Sequence, residues 1–226
     1  MASTLGSGSR SGPGGLRVAI VAYEGVLADE SWAFRHVLAR IPRARVLTVG
    51  ARHGIVGGPG GAQQVTTTFD EVDAADVVVV PGGLGSHRHP EIARWLLRLQ
   101  PRWVLTSSTG SALLAATGLL RGRVAATHWL AGPLLERHGV VVSDERLVVD
   151  LPYVTCSGLS SAYDAAFVVV AGVGGSSLVR TVRQEVSDWR EPRPCSSPSR
   201  YRARRGSSRA PVVEVELEET PASRRS

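Results

Sequence analysis

Three stretches of this chain combine residue types and spacing with chemical potential. In Val80-Pro81-Gly82-Gly83, two glycines directly follow a run of valines. Backbone without side chains can approach a ligand there and turn its N–H groups toward developing negative charge. In Leu105-Thr106-Ser107-Ser108-Thr109-Gly110, an apolar run ends in an abrupt turn tipped by hydroxyls. A helix starting behind such a turn favours an anion in front of it. In Ala125-Ala126-Thr127-His128-Trp129, a third short apolar run delivers an imidazole. Each feature also has a plainer reading. Ser108 can be a helix cap or a pocket-lining hydroxyl, and His128 a satisfied core histidine.

The surrounding pattern supplies elements able to bring these ends together. Short β-branched runs alternate with longer helical patterns, as in a parallel sheet covered by helices. Strands are expected at Arg17 to Tyr23, Arg45 to Val49, Asp76 to Val80, Trp103 to Thr106 and Arg123 to Thr127. Helices are expected at Asp29 to Arg40, Pro90 to Leu99, Ser111 to Ala116, Trp129 to His138 and Ser160 to Val186. Gly172, Gly174 and Gly175 suggest a break in the last helix. Gly54 to Thr68 reads as a hairpin or loop excursion. Val140 to Val142, Leu147 to Leu151 and Tyr153 to Cys156 read as a β-meander. The expected fold is a three-layer α/β/α sandwich of flavodoxin-like type with a mostly parallel central sheet, spanning 16–186. In such a sheet, ligands bind where strands end at the carboxyl edge.

Composition removes other classes of protein. With 226 residues, 43% hydrophobic and 20% charged, the chain is neither disordered as a whole nor fibrous. The longest apolar runs, such as Phe167 to Val173, are far short of the ~20 residues that span a bilayer. The stretch Val18 to Tyr23 is too short for a signal-peptide core. A cytoplasmic protein with no membrane contact is expected. Two cysteines, Cys156 and Cys195, are too few for a disulfide framework. The net charge of +6 is uneven, because residues 17–186 carry 16 Arg against 14 acids while Arg190 to Arg209 holds seven Arg and one Glu. The basic character therefore belongs to an Arg/Pro/Ser-rich tail, 187–226, expected to be disordered or loosely docked. The Ser/Gly-rich residues 1–15 form a second expected disordered segment. Lys and Asn are absent from the chain, so its Arg content carries little information about phosphate contacts. A solvated tail explains the basic run, and a nucleic-acid partner is not expected.

Five pieces occur in order on these elements: Val18 to Gly25, Val78 to Gly83, Ser108 to Leu114 with Gly118 to Gly122, Ala126 to Trp129, and Gly158 to Asp164. Through them, residues 16–190 resemble the ThiJ/PfpI superfamily of class I glutamine-amidotransferase-like folds, and within it the isonitrile hydratase-like branch. The resemblance implies a small-molecule hydrolase, hydratase or lyase that works as a homodimer without a cofactor. Ser108 is similar in position to the family's nucleophilic cysteine, His128 to a nearby histidine, and Glu30 to an acid that contacts the nucleophile. A serine hydroxyl needs a base, because no helix dipole makes it an alkoxide at neutral pH. The implied machinery is Ser108 attacking, His128 taking its proton, Glu30 orienting, and the N–H groups of Gly82, Gly83 and Thr109 holding the oxyanion. The alternative is a pocket that has lost thiol chemistry and binds or senses a metabolite.

Other candidates rank lower. Glu24 is a second acid after the first strand, Trp129 adjoins His128, and Cys156 ends a strand before Ser157-Gly158. All three are pocket candidates, with a small buried hydrophobe the plainer reading of Cys156. Ser86-His87-Arg88-His89 lacks a completing acid or thiol, so no metal site is expected. Gly54 to Gly61 lacks the Gly-Lys-Ser/Thr ending of a phosphate loop.

Overall fold

Four consecutive valines can be buried only in a strand covered on both faces, and Val77–Val80 are all fully buried at the centre of the sheet. The computed structural model describes residues 15–188. In chain order the elements are β1 (Arg17–Val21), α1 (Ala28–Leu38), β2 (Arg45–Gly50), β3 (Gly54–Gly58), β4 (Gly61–Val65) and β5 (Thr67–Thr68). Then come β6 (Val77–Val80), α2 (Pro90–Leu99), β7 (Trp103–Ser107), α3 (Gly110–Ala116) and β8 (Val124–Ala125). The last are α4 (Gly132–Arg137), β9 (Val141–Val142), β10 (Leu147–Asp150), β11 (Tyr153–Cys156) and α5 (Leu159–Asp188).

Seven strands form one sheet in the order β10-β11-β7-β6-β1-β2-β5, parallel except for the antiparallel β10–β11 pair. The expected mostly parallel α/β sandwich is the observed architecture. Alternation along the strands divides the core in two. Ala19, Val21, Val78, Val80 and Val104 pack with α2, α3 and α4 on one face. Val18, Ile20, Val77, Val79 and Leu105 pack with α1 and α5 on the other. The chain leaves β1 toward β2, then returns to β1's other side as β6. That reversal opens a crevice at the carboxyl ends of β1 and β6, the place where α/β sheets bind ligands.

Two local expectations change. Val141–Val142 does not join a meander; it pairs in parallel with β8, and only β10 and β11 form a hairpin. The helix expected over Trp129 to His138 starts as a short 3-10 turn, Trp129–Ala131, because Pro133 favours a helix start at Gly132. Gly54 to Val65 is a true hairpin, β3 against β4.

The glycine break in the last helix is real. Gly175 has φ 62° and ψ −162°, a conformation essentially reserved for glycine. Arg183 lies over the Phe167 ring at 5.2 Å. Sixteen residues span roughly 24 Å of straight helix, so the segment must fold back at the break. By length and composition Leu159–Ser187 could cross a membrane. Its first half, however, buries Ala162, Ala165, Ala166, Val169 and Val170, while Val182 returns to the same core. The expectations for 1–15 and for the Arg-rich tail fall almost wholly outside the described residues.

Candidate active site

Strand β7 is hydrogen-bonded between β6 and β11, so its end is fixed from both sides. Immediately after Ser107 the chain reverses at Ser108, whose φ of 51° puts a non-glycine residue in the left-handed region. Its N–H donates to the carbonyl of Cys156 at 2.9 Å. Its carbonyl accepts from the Thr127 hydroxyl at 2.9 Å and from the His128 N–H at 3.3 Å. Ser111 donates in turn to Thr127 at 2.7 Å. The backbone of the turn is thus held by two separate segments, the end of β11 and residues 127–128. The Ser108 side chain is only 4% exposed, and its hydroxyl has no hydrogen-bond partner among the described residues.

Glu30 reaches this turn from the first turn of α1. It is buried, and its Oε2 accepts two hydrogen bonds, from the Gly82 N–H at 2.9 Å and from the Ser107 hydroxyl at 2.6 Å. Burial pushes its pKa above the usual carboxylate range. The Ser107 and Gly82 donors and the His128 charge oppose that rise without cancelling it, while Asp29 adds to it. Glycine is required at 82 by close approach. A Cβ there would stand 2.7 Å from the Ser108 Cβ and 3.0 Å from both Ser108 Oγ and Glu30 Oε2. The carboxyl and the serine hydroxyl therefore flank one small space.

The glycine N–H groups are engaged within the protein. Gly82 N–H serves Glu30, and Gly83 N–H donates to Thr109 Oγ1 at 2.9 Å while the Thr109 hydroxyl donates back to the Gly83 carbonyl. The Thr109 N–H has no acceptor among the described residues. The Tyr23 hydroxyl donates to the Pro81 carbonyl at 2.8 Å and steadies the glycine loop from the β1 side.

His128 is half-buried beside the turn, but no side-chain hydrogen bond joins it to Ser108. Its Nδ1 accepts from the Leu130 N–H at 3.3 Å, capping the short turn that follows. In the neutral ring this places the proton on Nε2, so neither nitrogen offers a lone pair to the serine. Trp129, packed on His128 at 5.6 Å between rings, is 76% exposed. A cleft of about 570 Å³ opens there, lined by Thr127, His128, Trp129, Glu136, Asp144 and Glu145 among others.

The lower-ranked candidates separate from the turn. Glu24 is exposed, and its Oε2 accepts from the Gly57 N–H at 3.1 Å on the β3–β4 hairpin. Cys156 is wholly buried in the α1/α5-side core, and burial pushes its thiol up to about 12, which keeps it unreactive. His89 bonds Glu91 at 2.9 Å. Among the described residues no three His, Cys, Asp or Glu side chains converge as metal ligands. Sequence reasoning missed Ser107 and Tyr23. A hydroxyl ending the otherwise apolar run Trp103 to Leu105 was the available signal for Ser107.

The strained turn after a central strand and the buried carboxyl beside it lie at the carboxyl edge of the sheet, where α/β sheets bind ligands. The chain belongs to the DJ-1/PfpI family, whose profile matches residues 16–172. It is 34% identical over 153 residues to an isonitrile hydratase of Pseudomonas putida, covering 64% of this chain and 67% of that protein. A transcriptional regulator of Pseudomonas aeruginosa, CdhR, is 30% identical over 100 residues, and the matched part spans only 30% of the regulator. Among solved structures, a ThiJ/PfpI family protein from Pseudomonas syringae superposes with a TM-score of 0.72 at 21% identity, covering 88% of this chain and 86% of its own. Schizosaccharomyces pombe DJ-1 superposes at 0.67 with 17% identity, covering 76% and 99%. These two structural likenesses speak for the fold alone.

Proposed function

We propose that this protein hydrates a small isonitrile-type substrate, with Glu30 as the acid–base group and Ser108 ordering the water that attacks. The observation that carries this reading is the buried Glu30 carboxyl, its pKa raised by burial, across one small space from an unpartnered hydroxyl. An isonitrile carbon is basic. A neutral Glu30 protonates it, giving a nitrilium carbon that water attacks, and the carboxylate so formed takes the proton released by the water. Tautomerisation of the resulting imidic acid gives the N-formyl amine, so one water is consumed and nothing is oxidised. The Thr109 N–H is available for charge that develops near the turn. The similarity to an isonitrile hydratase supports the substrate class.

Serine as nucleophile is the weaker form of this reading, because among the described residues the His128 ring makes no hydrogen bond to Ser108 and its Nδ1 is engaged by Leu130. The test is turnover of alkyl and aryl isonitriles, followed by loss of the isonitrile infrared band. Glu30→Gln is expected to lower kcat by about 10²–10⁴, the usual worth of general acid–base catalysis. Ser108→Ala should retain part of the rate, with no covalent adduct by mass spectrometry in either protein. A Glu30→Gln variant that turns over at the wild-type rate would refute the mechanism. A competing reading, a metabolite-binding pocket without chemistry, draws on the engagement of both glycine N–H groups. It predicts no turnover and a ligand affinity that Ser108→Ala changes by no more than about 1 kcal/mol.

A further inference from the structure

We propose that Ser107 is a positioning residue that assigns the two oxygens of Glu30 their separate roles. The residue sits at the last position of β7, wholly buried, one residue before the strained turn. Its hydroxyl donates to Glu30 Oε2 at 2.6 Å, and the Gly82 N–H donates to the same oxygen at 2.9 Å. A carboxyl oxygen that receives two donors has both lone-pair directions occupied and cannot also carry the acid hydrogen. With the Ser107 hydroxyl donating to Oε2, the hydrogen of neutral Glu30 resides on Oε1. That oxygen has no hydrogen-bond partner among the described residues, so its proton is available to a substrate. When the proton leaves, the charge that forms is delocalised onto Oε2, where the two donors already wait. No reorganisation is needed at that moment.

The arrangement also sets how acidic Glu30 is. Burial raises its pKa, and of the groups that oppose this rise the Ser107 hydroxyl is the foremost. Gly82 N–H and the His128 charge act in the same sense, and Asp29 opposes them. Ser107 is the one of these that a side-chain substitution can remove without moving the main chain or a formal charge. Ser107 therefore acts against burial on the acidity of Glu30.

This inference rests on the reading of Glu30 as the acid, and its decisive measurement needs no substrate. In protein labelled with ¹³C at glutamate side chains, the Glu30 carboxyl resonance is assigned by its loss in Glu30→Gln and followed through a pH titration. Ser107→Ala should raise the Glu30 pKa by about one pH unit, the worth of a hydrogen bond to a charged group. Ser107→Thr, which restores a hydroxyl, should return it toward the wild-type value. A purely structural Ser107 would lower thermal stability and leave the titration where it was. An unmoved or lowered Glu30 pKa in folded Ser107→Ala overturns the proposal. Should Ser107→Ala fail to fold, Ser107→Cys keeps the volume with a much weaker donor, and the same upward displacement is required of it. If isonitriles are substrates, the alkaline limb of kcat against pH moves with the carboxyl titration. If they are not, the titration still decides the role of Ser107.

Discussion

The left-handed backbone at Ser108 is a cost that can be measured directly. A non-glycine residue in this region is less stable than in the right-handed region by about 1–2 kcal/mol. Glycine at 108 would remove that penalty but would free the unfolded chain, which returns about 0.4–1 kcal/mol of the gain. The Ser108 hydroxyl has no hydrogen-bond partner among the described residues, so its deletion costs no polar contact. The turn's N–H and C=O bonds to Cys156, Thr127 and His128 are main-chain bonds that either variant keeps. Ser108→Gly should therefore be more stable than Ser108→Ala by about 0.5–1 kcal/mol. For a domain of this size that corresponds to roughly 1–4 °C in Tm. Both variants lose the hydroxyl equally, so the comparison isolates the backbone. Calorimetric or circular-dichroism melts at one pH, with urea titrations to show unchanged m-values, make the comparison. A Ser108→Gly protein that melts below Ser108→Ala would refute the argument, because it would mean that the turn is not held left-handed in solution.

Gly82→Ala should lower stability by about 1–3 kcal/mol in urea, because its Cβ must displace Ser108 or the Glu30 carboxyl. It should also lower any turnover. Since the folded pKa of Glu30 lies above its unfolded value, the folded state binds more protons between the two. Wild-type stability measured against Glu30→Gln should then fall as pH rises through that window, and a rise would contradict the raised pKa. In a Cys195→Ser background, Cys156 should resist iodoacetamide at neutral pH and react only on unfolding, because it is wholly buried with its thiol raised to about 12. The homodimer that the family resemblance implies remains an expectation, and a monomer mass by sedimentation at micromolar concentration would remove it.

The parts of this protein that hydrophobicity specifies were legible from the sequence. Val77–Val80 had to be a doubly covered strand, and its neighbours β1 and β7 show the same two-sided burial. Gly172 to Gly175 suggested the break in α5, because a positive φ such as that of Gly175 in a long apolar helix leaves few alternatives to glycine. The elbow at Ser108 was equally visible, since an apolar run broken by Ser-Ser-Thr-Gly must turn. What could not be read was the allocation of donors. Gly82 and Glu30 are 52 residues apart and Ser107 and Glu30 are 77 apart, and no local pattern encodes which N–H a carboxylate will take. The glycines were expected to line a site, and a Cβ at either would collide with its neighbours. Their small size, however, does more than their N–H groups do. Gly82 leaves the space that Ser108 and Glu30 share, while its N–H is spent on Glu30. The same holds for His128, whose residue type suggests a base but whose Nδ1 serves Leu130. Residue types locate a site because burial and turn chemistry are local. The direction in which protons move within it depends on hydrogen bonds that only the assembled sheet edge determines. Among the described residues, those bonds leave Glu30 Oε1 and the Ser108 hydroxyl without hydrogen-bond partners beside the turn.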